Sequence, residues 1–129
     1  MLSVPDDMVL YAGACRTILF ARTAAGGLPV KEFLETQEAS DSESRRLKHL
    51  IKVLGDVGHI SNATKFKKLK GSDPWEFRVG NLRVLAWPVG PYCLLLRAAR
   101  KQAWKLRRSD LEAAERLARW NIELIVRRR

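Results

Sequence analysis

Two arginines, Arg78 and Arg83, flank the dipeptide Gly80-Asn81 in the stretch WEFRVGNLRVLAW, residues 75–87. A two-residue turn there pairs Val79 with Leu82 and sets Arg78 opposite Arg83. Like charges directly opposite one another across a sheet repel. The pair becomes favourable when an anion sits between or above it, because guanidinium groups grip phosphate oxygens bidentately and keep their charge at neutral pH. A carboxylate can do the same, either Glu76 or an acid on another element.

A second stretch points the same way. In RAARKQAWKLRR, residues 97–108, six of the twelve residues are basic and Trp104 is set among them. Cations that track a backbone, beside an aromatic on which a base can stack, suit single-stranded nucleic acid. Arg100, Lys101, Trp104, Lys105, Arg107 and Arg108 are the candidates here; Trp104 packed under the following helix is the competing reading. KFKKLK, residues 65–70, adds Lys65, Lys67, Lys68 and Lys70, while Phe66 reads as a core anchor. Tyr92 is a further candidate for stacking.

These residues need elements to position them. ACRTILFA (14–21) reads as a first strand after a loose lead-in over residues 1–13. Pro29 opens a helix that carries Val30, Phe33 and Leu34. Ser40 and Glu43 form a capping box for a second helix with Leu47, Leu50, Ile51 and Leu54 on one side, ended by Gly55. KFKKLKG is a short edge strand or an extended loop. Trp75, Phe77 and Val79 alternate with Glu76 and Arg78, and Leu82, Val84 and Ala86 alternate with Arg83 and Leu85. YCLLLRAA (92–99) is apolar on both faces and reads as a central strand. Ser109 and Glu112 suggest a second capping box, before a helix with Leu111, Ala114, Leu117, Ala118, Leu124 and Ile125 and a basic tail over residues 127–129. The expected fold is α+β in a single domain over 1–129: a twisted antiparallel sheet of about four strands, an N-terminal helical hairpin on one face and a C-terminal helix. The other face, partly open, would carry Arg78 and Arg83.

The net charge of +10 is placed unevenly. Residues 1–56 sum to −1, residues 57–109 to +10 and residues 110–129 to +1. A block of one sign points to a polyanionic partner. No apolar run reaches the roughly 18 residues of a membrane span, and no basic leader precedes the acids Asp6 and Asp7, so a cytoplasmic location is expected. Cys15 and Cys93 fit no metal spacing and read as two buried thiols; His49 and His59 read as structural. Asp73 and Glu76 are the only acids in the basic segment, too few to hold a magnesium ion, so no metal or cofactor is expected. Catalysis would then rest on Arg and Lys stabilising a charged transition state, which RNA permits because its own 2′-OH is the nucleophile.

PVKEFLE, then KFKKLKG and WEFRVGNLRVLAW, then RKQAWKLRRSDLEAAER, resemble in order the HigB-like branch of the RelE/ParE toxin superfamily, over roughly residues 14–120. The resemblance implies a toxin of a type II toxin-antitoxin system: a metal-independent endoribonuclease that cuts mRNA on the ribosome and is silenced by a cognate antitoxin, commonly of helix-turn-helix type. It carries the family's strand arginines onto Arg78 and Arg83, and two lysines of its basic segment onto Lys101 and Lys105. Gln102 stands where the family has a second lysine, Arg107 where it has a proline and Ala99 where an aromatic is usual. Two other readings stay open: a non-catalytic inhibitor like the ParE branch, which poisons DNA gyrase, and a basic prophage-derived adaptor that keeps the fold without the chemistry.

Overall fold

The computed structural model describes residues 4–36, 40–69, 74–104 and 106–127. Its centre is a six-stranded sheet: β1 (Val9–Ala12), β2 (Thr17–Phe20), β3 (Phe66–Lys68), β4 (Trp75–Val79), β5 (Leu82–Val89) and β6 (Tyr92–Arg100), in the order β1-β2-β6-β5-β4-β3. Helices α1 (Pro29–Glu35) and α2 (Asp41–Val57) intervene between β2 and β3, and α3 (Arg108–Arg127) follows β6. The class is α+β.

Local chemistry accounts for the helix starts. Pro29 opens α1, where its missing N–H costs nothing. Ser40 caps α2 through the expected box: its Oγ accepts from Glu43 N at 3.2 Å, and Ser40 N donates to Glu43 Oε1 at 3.1 Å. α2 runs past Gly55 to Val57 and ends at Gly58, whose φ of 94° is a left-handed cap. Gly55 is needed for a different reason. A Cβ there would lie 2.7 Å from the Tyr11 ring, and one on Gly13 would lie 2.2 Å from Gly55 itself. Its carbonyl accepts from both Cys15 N and Arg16 N at 2.8 Å. The missing side chain therefore lets the β1–β2 connection lie directly on α2. Of the box expected at Ser109, the structure shows another arrangement: α3 begins at Arg108, Asp110 Oδ2 accepts from Arg107 N, and Glu112 pairs with Arg108.

The hairpin register is as the turn chemistry requires, with Val79 opposite Leu82 and Arg78 opposite Arg83, and Gly80 at φ 57°. Trp75, Phe77, Val84 and Ala86 point to the face covered by α1 and α2, where Phe66 stacks on Trp75 with centroids 4.9 Å apart and touches Phe77 at 4.5 Å. Val30, Leu47, Leu50 and Leu54 close that core.

Four expectations are corrected. The sheet has six strands among the described residues, not about four. It is mixed, because β2 runs parallel to β6 with Thr17 beside Tyr92. The described part of the lead-in, from residue 4, is not loose: Asp6–Met8 form a 3₁₀ turn, Met8 is fully buried, and β1 pairs antiparallel with β2. The second face is covered in part, as expected. Ala114, Ala118 and Ile125 of α3 pack on Leu19, Leu85, Leu94 and Leu96, giving a second core. Cys93 is buried, its thiol pushed up to about 12 by loss of solvent, but Cys15 is exposed.

Candidate anion-binding site

α3 covers the β2–β6 end of the second face and stops short of the hairpin. There Glu76 and Arg78 from β4 and Arg83 from β5 share one side of the sheet, because they alternate with the buried Phe77 and Val84. Glu76 is buried at 4% exposure, and a buried carboxylate must be paired. Its Oε1 takes Arg78 Nε at 2.6 Å and lies 3.6 Å from Arg83 Nε; its Oε2 accepts from Trp104 Nε1 at 3.1 Å. The anion between the two arginines is therefore the chain's own Glu76.

The two arginines are spent differently. Arg83 is 12% exposed and gives its Nη1 to the carbonyls of Gly80 and Leu82, at 2.8 and 3.0 Å, which closes the turn. Arg78 is 39% exposed, and only its Nε is engaged by a described residue. Its distal fork remains able to take a phosphate or carboxylate from solution, on a side chain anchored at a buried acid.

The surroundings are basic. Lys65 O accepts from Arg78 N at 2.8 Å, so Lys65 stands beside Arg78 at the edge of the sheet. Lys67 pairs with Glu76 across β3–β4, and Lys68 pairs with Trp75; both lysines are exposed. Lys101 opens the 3₁₀ turn Lys101–Ala103 and donates its N–H to Asn81 O at 2.6 Å, which brings it to the hairpin tip. Arg107 and Arg108 are exposed at the start of α3. Lys70 and Lys105 lie outside the described residues, as do Asp73 and the last two arginines of the basic tail.

Arg100 and Tyr92 are placed elsewhere, and Trp104 takes a different part. β6 carries a bulge: Leu85 faces Arg97 and Ala86 faces Leu95, with Leu96 extra. The added residue turns Arg97 onto the site face and sends Arg100 to the helix face, where its Nη1 meets Glu43 Oε1 at 2.6 Å. Trp104 is a strut and not an open platform. Its indole donates to Glu76, the Arg97 guanidinium lies 5.2 Å from its ring centroid, and its edge packs into the second core. Tyr92 begins β6 opposite Val89, at the far end of the strand from the site.

Sequence reasoning missed the part played by α2. His49, read as structural, is exposed and lines a pocket with Arg45, Arg46, Lys65 and Arg78. The signal was present in the RR pair of SESRRLKHL, whose three- and four-residue spacing from His49 puts these groups on one exposed side. Among the described residues, no group of three or more His, Cys, Asp or Glu side chains could hold a metal ion, and no helix is long and apolar enough to cross a membrane. Compared with known families and curated proteins, the chain matches no family model and no curated protein.

Proposed function

We propose that this chain is a RelE-like toxin of the HigB branch, an endoribonuclease that cleaves messenger RNA at the Arg78 site. The observation that carries this reading is the Arg78 fork, tied down at Nε by a buried carboxylate and open at its other nitrogens, within a surface rich in lysine. A preorganised cation of this kind stabilises charge that develops in a transition state and needs no reorganisation to do so. In the reaction, the RNA 2′-oxygen attacks the adjacent phosphorus and the bond to the 5′-oxygen breaks. The products are a 2′,3′-cyclic phosphate and a 5′-hydroxyl. The 2′-OH proton passes to a base and the leaving oxygen gains one. Arg78 grips the non-bridging oxygens, and Lys101, beside the tip, supplies further positive charge with Lys65 and Lys67. Arg83 and Trp104 position Glu76 and, through it, Arg78.

Replacing Arg78 by Ala should lower the cleavage rate by about 10²–10³, the usual loss for one preorganised donor, with the fold retained. Primer-extension mapping of a reporter message in cells expressing either form reads this directly. Equal cleavage by both forms removes Arg78 from the mechanism. Growth arrest without any cleavage points instead to a non-catalytic inhibitor of the gyrase-poisoning type. The partner implied is an antitoxin that blocks the basic face with an acidic or amphipathic segment. Co-expression with the adjoining gene and pull-down should recover the two together, whereas recovery of this protein alone, harmless to its host, supports the adaptor reading.

A further inference from the structure

The pocket on α2 lies beside the Arg78 site but is not part of it. It measures about 280 Å³ and is walled by Ser42, Arg45, Arg46, His49, Lys65 and Arg78, over an apolar floor of Leu50 and Val79. Among the described residues, no carboxylate lines it. Glu43, the nearest acid on α2, is buried and turned to Ser40 N, Asn81 N and Arg100. Arg45, Arg46 and Lys65 are exposed and enter no ion pair among the described residues. On α3 the pattern differs: Arg108 and Arg119 each pair with a glutamate four residues away. A Cβ on Gly80 would lie 3.1 Å from Arg46 Nη2, so that guanidinium rests against the hairpin turn. Arg78 is paired with Glu76, and Glu43 Oε2 and Arg46 Nη2 both approach Gly80, but Arg45 and Lys65 add charge that no ion pair among the described residues offsets. Such a surplus around one concavity becomes favourable when a polyanion fills it.

We infer that this pocket is a second phosphate-binding site, which takes a backbone phosphodiester of the same single-stranded RNA one or more nucleotides from the bond at Arg78. The inference deepens the nuclease reading and rests on it for the identity of the ligand. Lys65 and Arg78 border both sites at the sheet edge, so a strand that rounds this edge from the face of Arg78 to the helix face meets Arg46 and Arg45 next. The pocket supplies affinity and register, because phosphate contacts position a strand without reading its bases. The scissile bond stays with Arg78.

The test uses a short oligoribonucleotide with 2′-O-methyl groups throughout, which cannot be cleaved, so binding is read apart from chemistry. The wild type and an R45Q/R46Q pair are titrated at several salt concentrations. A K48Q/K52Q pair, which removes the same charge from exposed positions on α2 outside the pocket, serves as control. Loss of one phosphate contact should reduce the salt slope by about 0.7 and weaken binding about three- to tenfold in the R45Q/R46Q pair, with the K48Q/K52Q pair close to wild type. Thermal melts show that both pairs fold. Equal losses in the two pairs mean that only net charge matters, and overturn the pocket. Unchanged binding in R45Q/R46Q overturns it as well, while cleavage of the reporter message by the wild type leaves the nuclease reading intact. Wild-type binding with the expected loss, but without cleavage in cells, upholds the pocket and removes the nuclease.

Discussion

The same end of the sheet buries two glutamates, Glu43 on the helix face and Glu76 on the other, and each is approached by arginine. Glu43 is consumed by structure. Its carboxylate accepts from Ser40 N and Asn81 N and meets Arg100 at 2.6 Å, tying the start of α2 to the hairpin turn and to the end of β6. The Arg100 guanidinium, with those two backbone N–H groups, holds its carboxyl down at about 2. Among the described residues, Glu76 accepts from side chains only, and it holds Arg78 by a single nitrogen. A buried acid surrounded by backbone donors locks a fold. A buried acid that holds a half-exposed arginine by one end aims a charge outward. The number of arginines near an acid therefore says little about function. What matters is how many of their donors remain uncommitted.

Removing the lock should have the largest effect. Glu43→Ala takes the buried carboxylate away from Arg100 and from two backbone donors, and should cost about 3–5 kcal/mol, as breaking a buried pair commonly does. Chemical denaturation reads this as a lower midpoint with unchanged slope. A loss below 1 kcal/mol would erase the distinction drawn between the two glutamates. Glu76→Gln should cost less, about 2 kcal/mol, because the amide oxygen still accepts from one donor. Its sharper signature is functional. Arg78 loses its anchor and faces Arg83 uncompensated, so cleavage should fall about tenfold in a protein that remains folded at assay temperature. A drop in stability with full activity would make Glu76 a second lock.

Acid offers a third separation. The Glu43 carboxyl lies below its ordinary value of 4.5, at about 2. A depressed carboxylate contributes stability that is fully present above the unfolded value and disappears as pH falls through the folded one. Stability should therefore decline between about pH 4.5 and 2. The decline is on the order of 2 kcal/mol once the exposure of Arg100 is allowed for, and Glu43→Ala should remove that part of the pH dependence. Trp104→Phe is the smallest change. It keeps most of the ring packing but takes away the donor to Glu76 Oε2, and should cost about 1 kcal/mol, read by thermal melting, with cleavage reduced less than in Glu76→Gln.

Much of the local structure was legible in the sequence, because short-range chemistry fixes it. Gly80-Asn81 between alternating runs sets the register that puts Arg78 opposite Arg83. Ser40 and Glu43 announce the start of α2 three residues apart. The surplus of charge between residues 57 and 109 marks the basic face before any element is placed. The site was legible only in part. Arg78, Arg83 and Lys101 converge at the hairpin tip as their positions in the chain suggest, but the anion between the arginines is Glu76, one of two options that the stretch itself left open.

What tertiary structure alone decided depends on contests between distant segments. The parallel pairing of β2 with β6 is settled by which strand fills the place beside β6, and no local pattern encodes that. Arg97 and Arg100 exchanged faces because one extra residue, Leu96, entered β6, and with a period of two a single insertion reverses every side chain beyond it. Gly55 reads locally as a helix stop, yet the need for Tyr11 and Gly13 to approach α2 makes it an interior residue. His49 sits beside an apolar stripe in sequence, but only the placement of β3 and β4 against α2 turns it and its arginine neighbours into a pocket. Turn and cap chemistry act over a few residues and can be read in order along the chain. Faces, partners and pockets depend on which distant surface is buried, and burial is a property of the whole fold.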